Sequence, residues 1–355
     1  MGQITTKGAV LAYKQLTGGT WGTPSAIGAG DQILATTGPP LGENREIHMS
    51  PEAGFAWHQY SQGGRKILGF DLVIPLRYSG RMWSFIAQIF GLDTKTGAGD
   101  PYTHVISLIE AIDGSDLFGT LALQLGPASG ELLHGWPAVK PYGFVITGPN
   151  GQGFMDLTVS LICDKLREGS DEVTHTTAAF DNVTHMAIGS SIPSMVPFGA
   201  LRLRMNTQSG DALAAGDNLK VKKFTYSFRR RIEQEWVNRQ AYANEFETDE
   251  PIEDGIPEES LELEMGDIVS LAHFDAFQDQ TEQKVEAYWQ LDANHDIKLE
   301  LPRLKMLAPN AVFQGQGRIP KTLKFTPMLA SAAPTGMTVT NSTITLRDPN
   351  SSAYE

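Results

Sequence analysis

Apolar and polar residues alternate strictly in stretch after stretch of this chain, and that alternation limits its fold more than any other feature. In KILGFDLVIPLRY (66–78), Leu68, Phe70, Leu72, Ile74 and Leu76 fall on one side, with Asp71 and Arg77 on the other. ESLELEMG (259–266) sets Leu261, Leu263 and Met265 against Glu262 and Glu264, and HDIKLELP (295–302) repeats the scheme with Ile297, Leu299 and Leu301. A period of two marks strands with one buried face. In LKVKKFTYSF the phase changes at Lys222–Lys223, which predicts a β-bulge. The expected fold class is mainly β.

Two helices are expected to interrupt the strands. SGRMWSFIAQIFG (79–91) spaces Met82, Phe85, Ile86, Ile89 and Phe90 at helical intervals, with Ser79 as N-cap and Gly91 as stop. DIVSLAHFDAFQD (267–279) spaces Ile268, Leu271, Phe274 and Phe277 in the same way. The order of elements then repeats at an offset of about 186 residues, from Asp31-Gln-Ile-Leu and from Asp217-Asn-Leu-Lys. After the helices, YTHVISL and FGTLALQL in one half answer QKVEAYWQL and DIKLELP in the other. The expected organisation is a domain over 1–166, a polar linker over 167–197 and a second copy over 198–355.

Chemistry is hard to find. The eight histidines show no metal-ligand spacing, and there is no phosphate-loop or nucleophile-elbow motif. GPNGQG (148–153) and QGQGR (314–318) suit hairpin turns. The single Cys163 lies on the apolar face of its strand and reads as a core thiol. No apolar run approaches the ~18 residues of a membrane span, and MGQITTKGAV lacks the basic and apolar regions of a signal peptide. A net charge of −13 argues against tight binding to nucleic acid. No enzyme and no cofactor or metal is expected.

The residues do resemble one family. AYKQLTGGTWGTPSAIGAGDQILATT, with its Trp21-Gly22-Thr23-Pro24 turn, is similar to the opening of phage major tail tube proteins of the long-tailed, non-contractile kind. SGRMWSFIAQIFGL followed by GAGDPYTHVISL is similar to that family as well. The match in letters covers about residues 10–125, and the second half has no counterpart of the Trp-Gly-Thr-Pro turn. The resemblance implies two tandem β-sandwich or β-barrel-like tail-tube domains whose inner strands join a ring-wide barrel. Single-domain relatives make hexameric rings, so a duplicated chain implies three copies with pseudo-sixfold symmetry. With four strands per domain, such a ring has about 24 strands and a backbone diameter of roughly 50 Å. It also implies a virion location after assembly in host cytoplasm, and no membrane. Partners would be further copies, a tape-measure protein inside, terminator and tip proteins at the ends, and double-stranded DNA in transit.

On that reading, Glu262, Glu264 and Asp71 are candidates to face the lumen and to make it net negative. Gly42–Gly64 reads as a structureless inter-ring loop carrying Phe55, Trp57 and Tyr60. Eleven carboxylates and no Lys or Arg occupy 245–267, downstream of LKVKKFTYSFRRR. Arg229, Arg230, Arg231, Glu253 and Asp254 are therefore candidates for charge pairing between subunits. The alternative is a two-domain β-sandwich binding module for carbohydrate or a cell surface, with Trp57, Tyr60, Trp236 and Tyr242 stacking on sugars.

Overall fold

The computed structural model describes residues 10–16, 20–25, 27, 31–39, 44–50, 60–67, 69–110, 117–125, 132–149, 153–164, 167–168, 193–233, 250–265, 276–311 and 321–354. The fold is mainly β. Its strands are β1 (Val10–Leu16), β2 (Gln32–Ile33), β3 (Asn44–Ser50), β4 (Tyr60–Ile67), β5 (Gly69–Pro75), β6 (Asp93–Thr96), β7 (Tyr102–Ser107), β8 (Phe118–Leu125), β9 (Leu132–Gly148), β10 (Asp156–Cys163) and β11 (Arg167–Glu168). The second half supplies β12 (Arg202–Thr207), β13 (Asn218–Leu219), β14 (Val221–Arg229), β15 (Ile232–Glu233), β16 (Ile252–Glu253), β17 (Glu258–Met265), β18 (Gln283–Gln290), β19 (Asp296–Ala311), β20 (Lys321–Pro327) and β21 (Thr343–Asp348). One antiparallel network links 17 of them, while β3–β4 and β15–β16 are separate two-stranded ribbons.

One run of pairings occurs twice. In the first half the order is β5–β10–β9–β8–β1–β2. In the second it is β17–β20–β19–β18–β12–β13. Within these runs the long strands β9 and β19 each pair with one neighbour along each part of their length. This matching corrects the even offset expected from sequence. YTHVISL does not answer QKVEAYWQL; FGTLALQL (β8) does, because the β6–β7 hairpin is extra to the first half.

The halves are joined twice. β14 pairs with β17 of its own half and with β9 of the other, Phe228 opposite Phe144 and Thr225 opposite Thr147. On the other layer β21 pairs with β19 and with β7. The stretch expected to be a linker is therefore not one throughout. Val196 is buried, its amide donates to Leu76 and its carbonyl accepts from Met155.

The alternation is realised in part: Phe70 and Met265 are half-buried, Leu68 lies outside the described residues, and Asp296 and Glu300 on the polar side of HDIKLELP are themselves buried. Leu72, Ile74, Leu261, Leu263, Ile297, Leu299 and Leu301 are buried, and the bulge expected near Lys222 is a register shift between Val221 and Lys223. β19 runs well beyond the eight residues of HDIKLELP, through Pro302 and Pro309. Helix α1 (Met82–Phe90) ends at Gly91, whose φ of 97° is the left-handed conformation that glycine adopts without strain. The N-terminus differs from expectation. Arg81, not Ser79, holds the cap position, with no side-chain capping bond, and its guanidinium pairs with Asp31 at 3.0 Å. Every residue of α1 is buried, including Gln88, which accepts a hydrogen bond from the Tyr13 hydroxyl. Residues 276–278 are helical, with Phe277 against the core and Asp279 in the turn that follows; residues 267–275 of the second expected helix lie outside the described residues.

Aromatic rings fill the joint. Phe90 of α1 lies 5.5 Å from Phe144 of β9 and 5.1 Å from Phe228 of β14, centroid to centroid. One core thus crosses both halves. Phe144→Ala is expected to cost about 3–5 kcal/mol in urea unfolding. The transition should stay single, because the same cavity weakens both halves; two separated transitions would contradict a shared core.

Candidate assembly surfaces

The basic run after β14 is split among three roles. Arg230 is fully buried. Its Nε donates to the Ile89 carbonyl at 2.6 Å, and its Nη2 donates to the Phe90 carbonyl at 3.1 Å and the Ile109 carbonyl at 2.9 Å. Its Nη1 donates to Glu253 at 2.8 Å. The last carbonyls of a helix have no partner within the helix and carry the negative end of its dipole. A guanidinium from the second half satisfies those of α1 in the first. Burial pulls the Arg230 pKa below the ordinary arginine value, with Glu253 opposing.

This corrects the reading of Arg230 and Glu253 as partners between subunits: they meet inside one chain. The acidic stretch does fold back on the basic one, since the Asp254 amide donates to the Arg231 carbonyl at 2.7 Å and β15 pairs with β16. Arg229, Arg231 and Asp254 remain exposed, with the Arg229 guanidinium 5.1 Å from the centre of the Tyr142 ring. The sequence shows that opposite charges meet. It does not show that their partners are intramolecular, because pairing of β14 with β9 is what delivers Arg230 to α1.

Asp71, Glu262 and Glu264 do share one surface, the face of the sheet away from the core. Across strands, Pro75, Asp156, Thr147, Thr225, Glu262 and Lys324 form one row. Asp71, Ser160, Gly143, Arg229 and Glu258 form another, and Val73, Thr158, Val145, Ser227 and Ser260 lie between them. Asp71 and Glu262 occupy matching positions in β5 and β17. Asp71 accepts a hydrogen bond from Ser160 at 2.7 Å, and Glu262 pairs with Lys324 at 3.0 Å. Lys223 stands opposite Glu264. The face carries both signs of charge, with its carboxylates in the majority. Asp71, Asp156, Glu258, Glu262 and Glu264 share it with Lys223, Arg229 and Lys324, and Ser and Thr fill much of the rest. Reading only the acids on one strand misses cations that neighbouring strands place beside them.

The stretch from Gly42 to Gly64 is not structureless, because β3 and β4 pair as an antiparallel ribbon with Tyr60 opposite Ser50. The sequence carried no clear period there. Phe55, Trp57, Trp236 and Tyr242 lie outside the described residues, as do Gln314–Arg318. Cys163 is buried, and burial pushes its thiol pKa up. Among the described residues no group of three or more His, Cys, Asp or Glu is placed to hold a metal ion, and no helix is long and apolar enough to cross a membrane.

A second tie between the halves was not legible in sequence. His104 of β7 is buried, with Nδ1 2.9 Å from Asp93 and Nε2 3.4 Å from Asp348. The amide of buried Tyr354 donates to Asp93 at 2.7 Å and its hydroxyl to Asp348. Burial pulls the His104 pKa down, but the bonds to Asp348 and Asp93 outweigh it and push the value up to about 9. On β17, burial pushes Glu259 up to about 7, against hydrogen bonds from Ser342 and Tyr226.

Three outcomes are expected. Arg230→Met should destabilise the chain by about 3–5 kcal/mol, since Glu253 and three carbonyls lose their cation. Arg230→Lys should recover little, because an ammonium cannot reproduce the planar fork; chemical denaturation measures both. His104 has a raised folded pKa, so its stabilisation is complete below about pH 6.5 and is lost as pH rises through about 9. The melting temperature should fall across that window, and His104→Gln should flatten the fall. Compared with protein-family models and with curated proteins, the chain matches none.

Proposed function

We propose that the chain is a structural virion protein that assembles into the hollow tail tube of a long-tailed, non-contractile phage. The observation that carries this is the doubled run of pairings joined edge to edge by β9 and β14. We infer that 1–166 and 198–355 are two copies of one tail-tube domain. A head-to-tail contact repeated by rotation closes a ring when the rotation divides a full turn. The relation between the halves is such a contact. β5, β10, β9, β14, β17, β20 and β19 make a continuous seven-strand sheet, and Thr37 adds an eighth contact beside β5 at Val73. With the Thr37 contact counted as an eighth strand in the assembled ring, three chains give about 24, the barrel of roughly 50 Å considered above.

The face away from the core is the natural lumen wall of this barrel, because α1 and the aromatic core occupy the other side. A wall rich in hydroxyls with mixed charge suits passage of duplex DNA. A basic wall would exchange counterions with phosphates and hold the duplex at every ring. A strongly acidic wall is not required, since charges more than ~8 Å away are screened at physiological salt. Function is then mechanical, with no catalysis and no cofactor. Partners are further copies of the chain, a tape-measure protein inside the tube and end proteins at its termini, with assembly in the host cytoplasm and residence in the virion.

Negative-stain electron microscopy of the concentrated protein tests this, with long hollow filaments expected. Monodisperse particles that bind sugars at all concentrations would favour the binding-module alternative. Changing Glu262 and Glu264 together to Lys should alter fold stability by under about 1 kcal/mol. It should slow DNA ejection from virions, most at low salt, and unchanged ejection at low salt would remove these residues from the lumen wall.

A further inference from the structure

The sheet face away from the core carries its cations in one half. Among the described residues, the outward positions of β5, β10 and the last part of β9 hold Asp71 and Asp156 and no Lys or Arg. In the second half, β14 and β20 hold Lys223, Arg229 and Lys324. Each of these three stands directly opposite a glutamate of β17: Arg229 opposite Glu258, Lys324 opposite Glu262 and Lys223 opposite Glu264. Directly opposed residues have Cβ atoms about 5 Å apart, close enough for opposite charges to meet. Lys324 and Glu262 do so at 3.0 Å, although their side chains are 47% and 43% exposed. Farther out, Lys305 of β19 gives its ammonium to the Gln280 carbonyl at 2.9 Å.

Matching the halves shows where these charges enter. Asp71 faces Ser160 at the place where Glu262 faces Lys324. Two residues along, Thr37 bridges to Val73 where Lys223 pairs with Glu264. At both places the second half puts a lysine on the face, and a carboxylate stands across from it. Exposed ion pairs add little to stability, so the fold does not depend on them. Their effect is on what approaches the face. A phosphate nearing Lys324 meets Glu262 at almost the same distance, so attraction and repulsion nearly cancel.

We propose that this stripe is a masked duplex-binding track, in which Glu258, Glu262 and Glu264 of β17 each cover one cation from the phosphates of passing DNA. The proposal rests on the conduit reading. It goes beyond a wall of mixed charge, because it assigns each glutamate one cation to cover. Charge complementarity names the occupant. Lys223 and Arg229 lie six residues apart on one strand, about 20 Å, and Lys324 sits two strands over. Three cations so spaced suit the regular phosphates of a duplex, and left bare they would release counterions and hold it. Passage needs the opposite, and the register of β17 supplies it. The first half has no cation on its three strands and nothing to cover, so Val73 can stand where the second half has Glu264.

Fluorescence anisotropy of a short labelled duplex, titrated with the full chain, tests this. The parent chain should not bind. Glu258→Gln, Glu262→Gln and Glu264→Gln together should create binding whose logarithm falls against log salt with a slope of about −2.7, three phosphates' worth. That makes it roughly 40-fold weaker at about 200 mM than at about 50 mM salt. An unchanged thermal melt shows that the combined variant folds. Adding Lys324→Gln should reduce the slope by about 0.9. Adding Lys95→Gln, equal in charge but on β6 of the other layer, should leave the slope unchanged. No binding by the combined variant, or equal loss from Lys324→Gln and Lys95→Gln, overturns the masking. Tighter binding to polyglutamate than to the duplex would make an acidic protein the occupant and overturn DNA. Hollow tubes from a chain whose combined variant ignores DNA would leave the conduit reading standing without the track. Duplex binding by the combined variant of a chain that forms no tubes would leave the track standing without the conduit.

Discussion

β14 pairs on both sides, and most of what holds this chain together depends on that. One side is its own half, through β17; the other is β9 of the first half. The pairing brings Phe228 against Phe90 and Phe144, and it carries Arg230 to the end of α1. A buried guanidinium is costly unless its donors are filled, and here three carbonyls and a carboxylate fill them. Two of those carbonyls, Ile89 and Phe90, belong to the end of α1 in the first half, so the contact ties that helix to the second half.

The same joint explains the distribution of charge. Carboxylates are dense in 245–267, yet the described ones mostly find cations or donors nearby: Glu250 with Lys140, Glu253 with Arg230, Glu259 with Tyr226 and Ser342, Glu262 with Lys324. Exposed pairs such as Glu262–Lys324 contribute little to stability. Their role is to leave a broad sheet face without a strong field of one sign. Lys140–Glu250 ties the two halves directly, whereas Arg230–Glu253 and the bonds to Glu259 lie within the second half.

Much of the fold was legible because strands with one buried face must alternate. Leu261 and Leu263, or Ile297 and Leu299, could be assigned to the core from period alone, and Gly91 from its place after an apolar helical run. The site was less legible. Asp71 and Glu262 could be placed on the outer face, but Lys324 beside Glu262 depends on a partner strand over sixty residues away. Arg230 read as a surface charge because nothing local distinguishes it from Arg229 and Arg231. Only pairing across halves separates the three. The β3–β4 ribbon was missed because its sequence shows no alternation of apolar and polar residues.

A chain whose halves already display the contact that would join one copy to the next needs a matching edge to propagate it, and among the described strands none pairs with β19 opposite β20 beyond Leu304. The central claim is that three chains repeat the β9–β14 geometry around a closed ring. Cryo-electron microscopy of the assembled protein tests it most directly. A hollow tube with threefold symmetry and pseudo-sixfold inner strands, and with β19 of each copy beside the first half of the next, is the result this account predicts. Six chains per ring, or an assembly in which no contact between copies repeats the β9–β14 geometry, would contradict it.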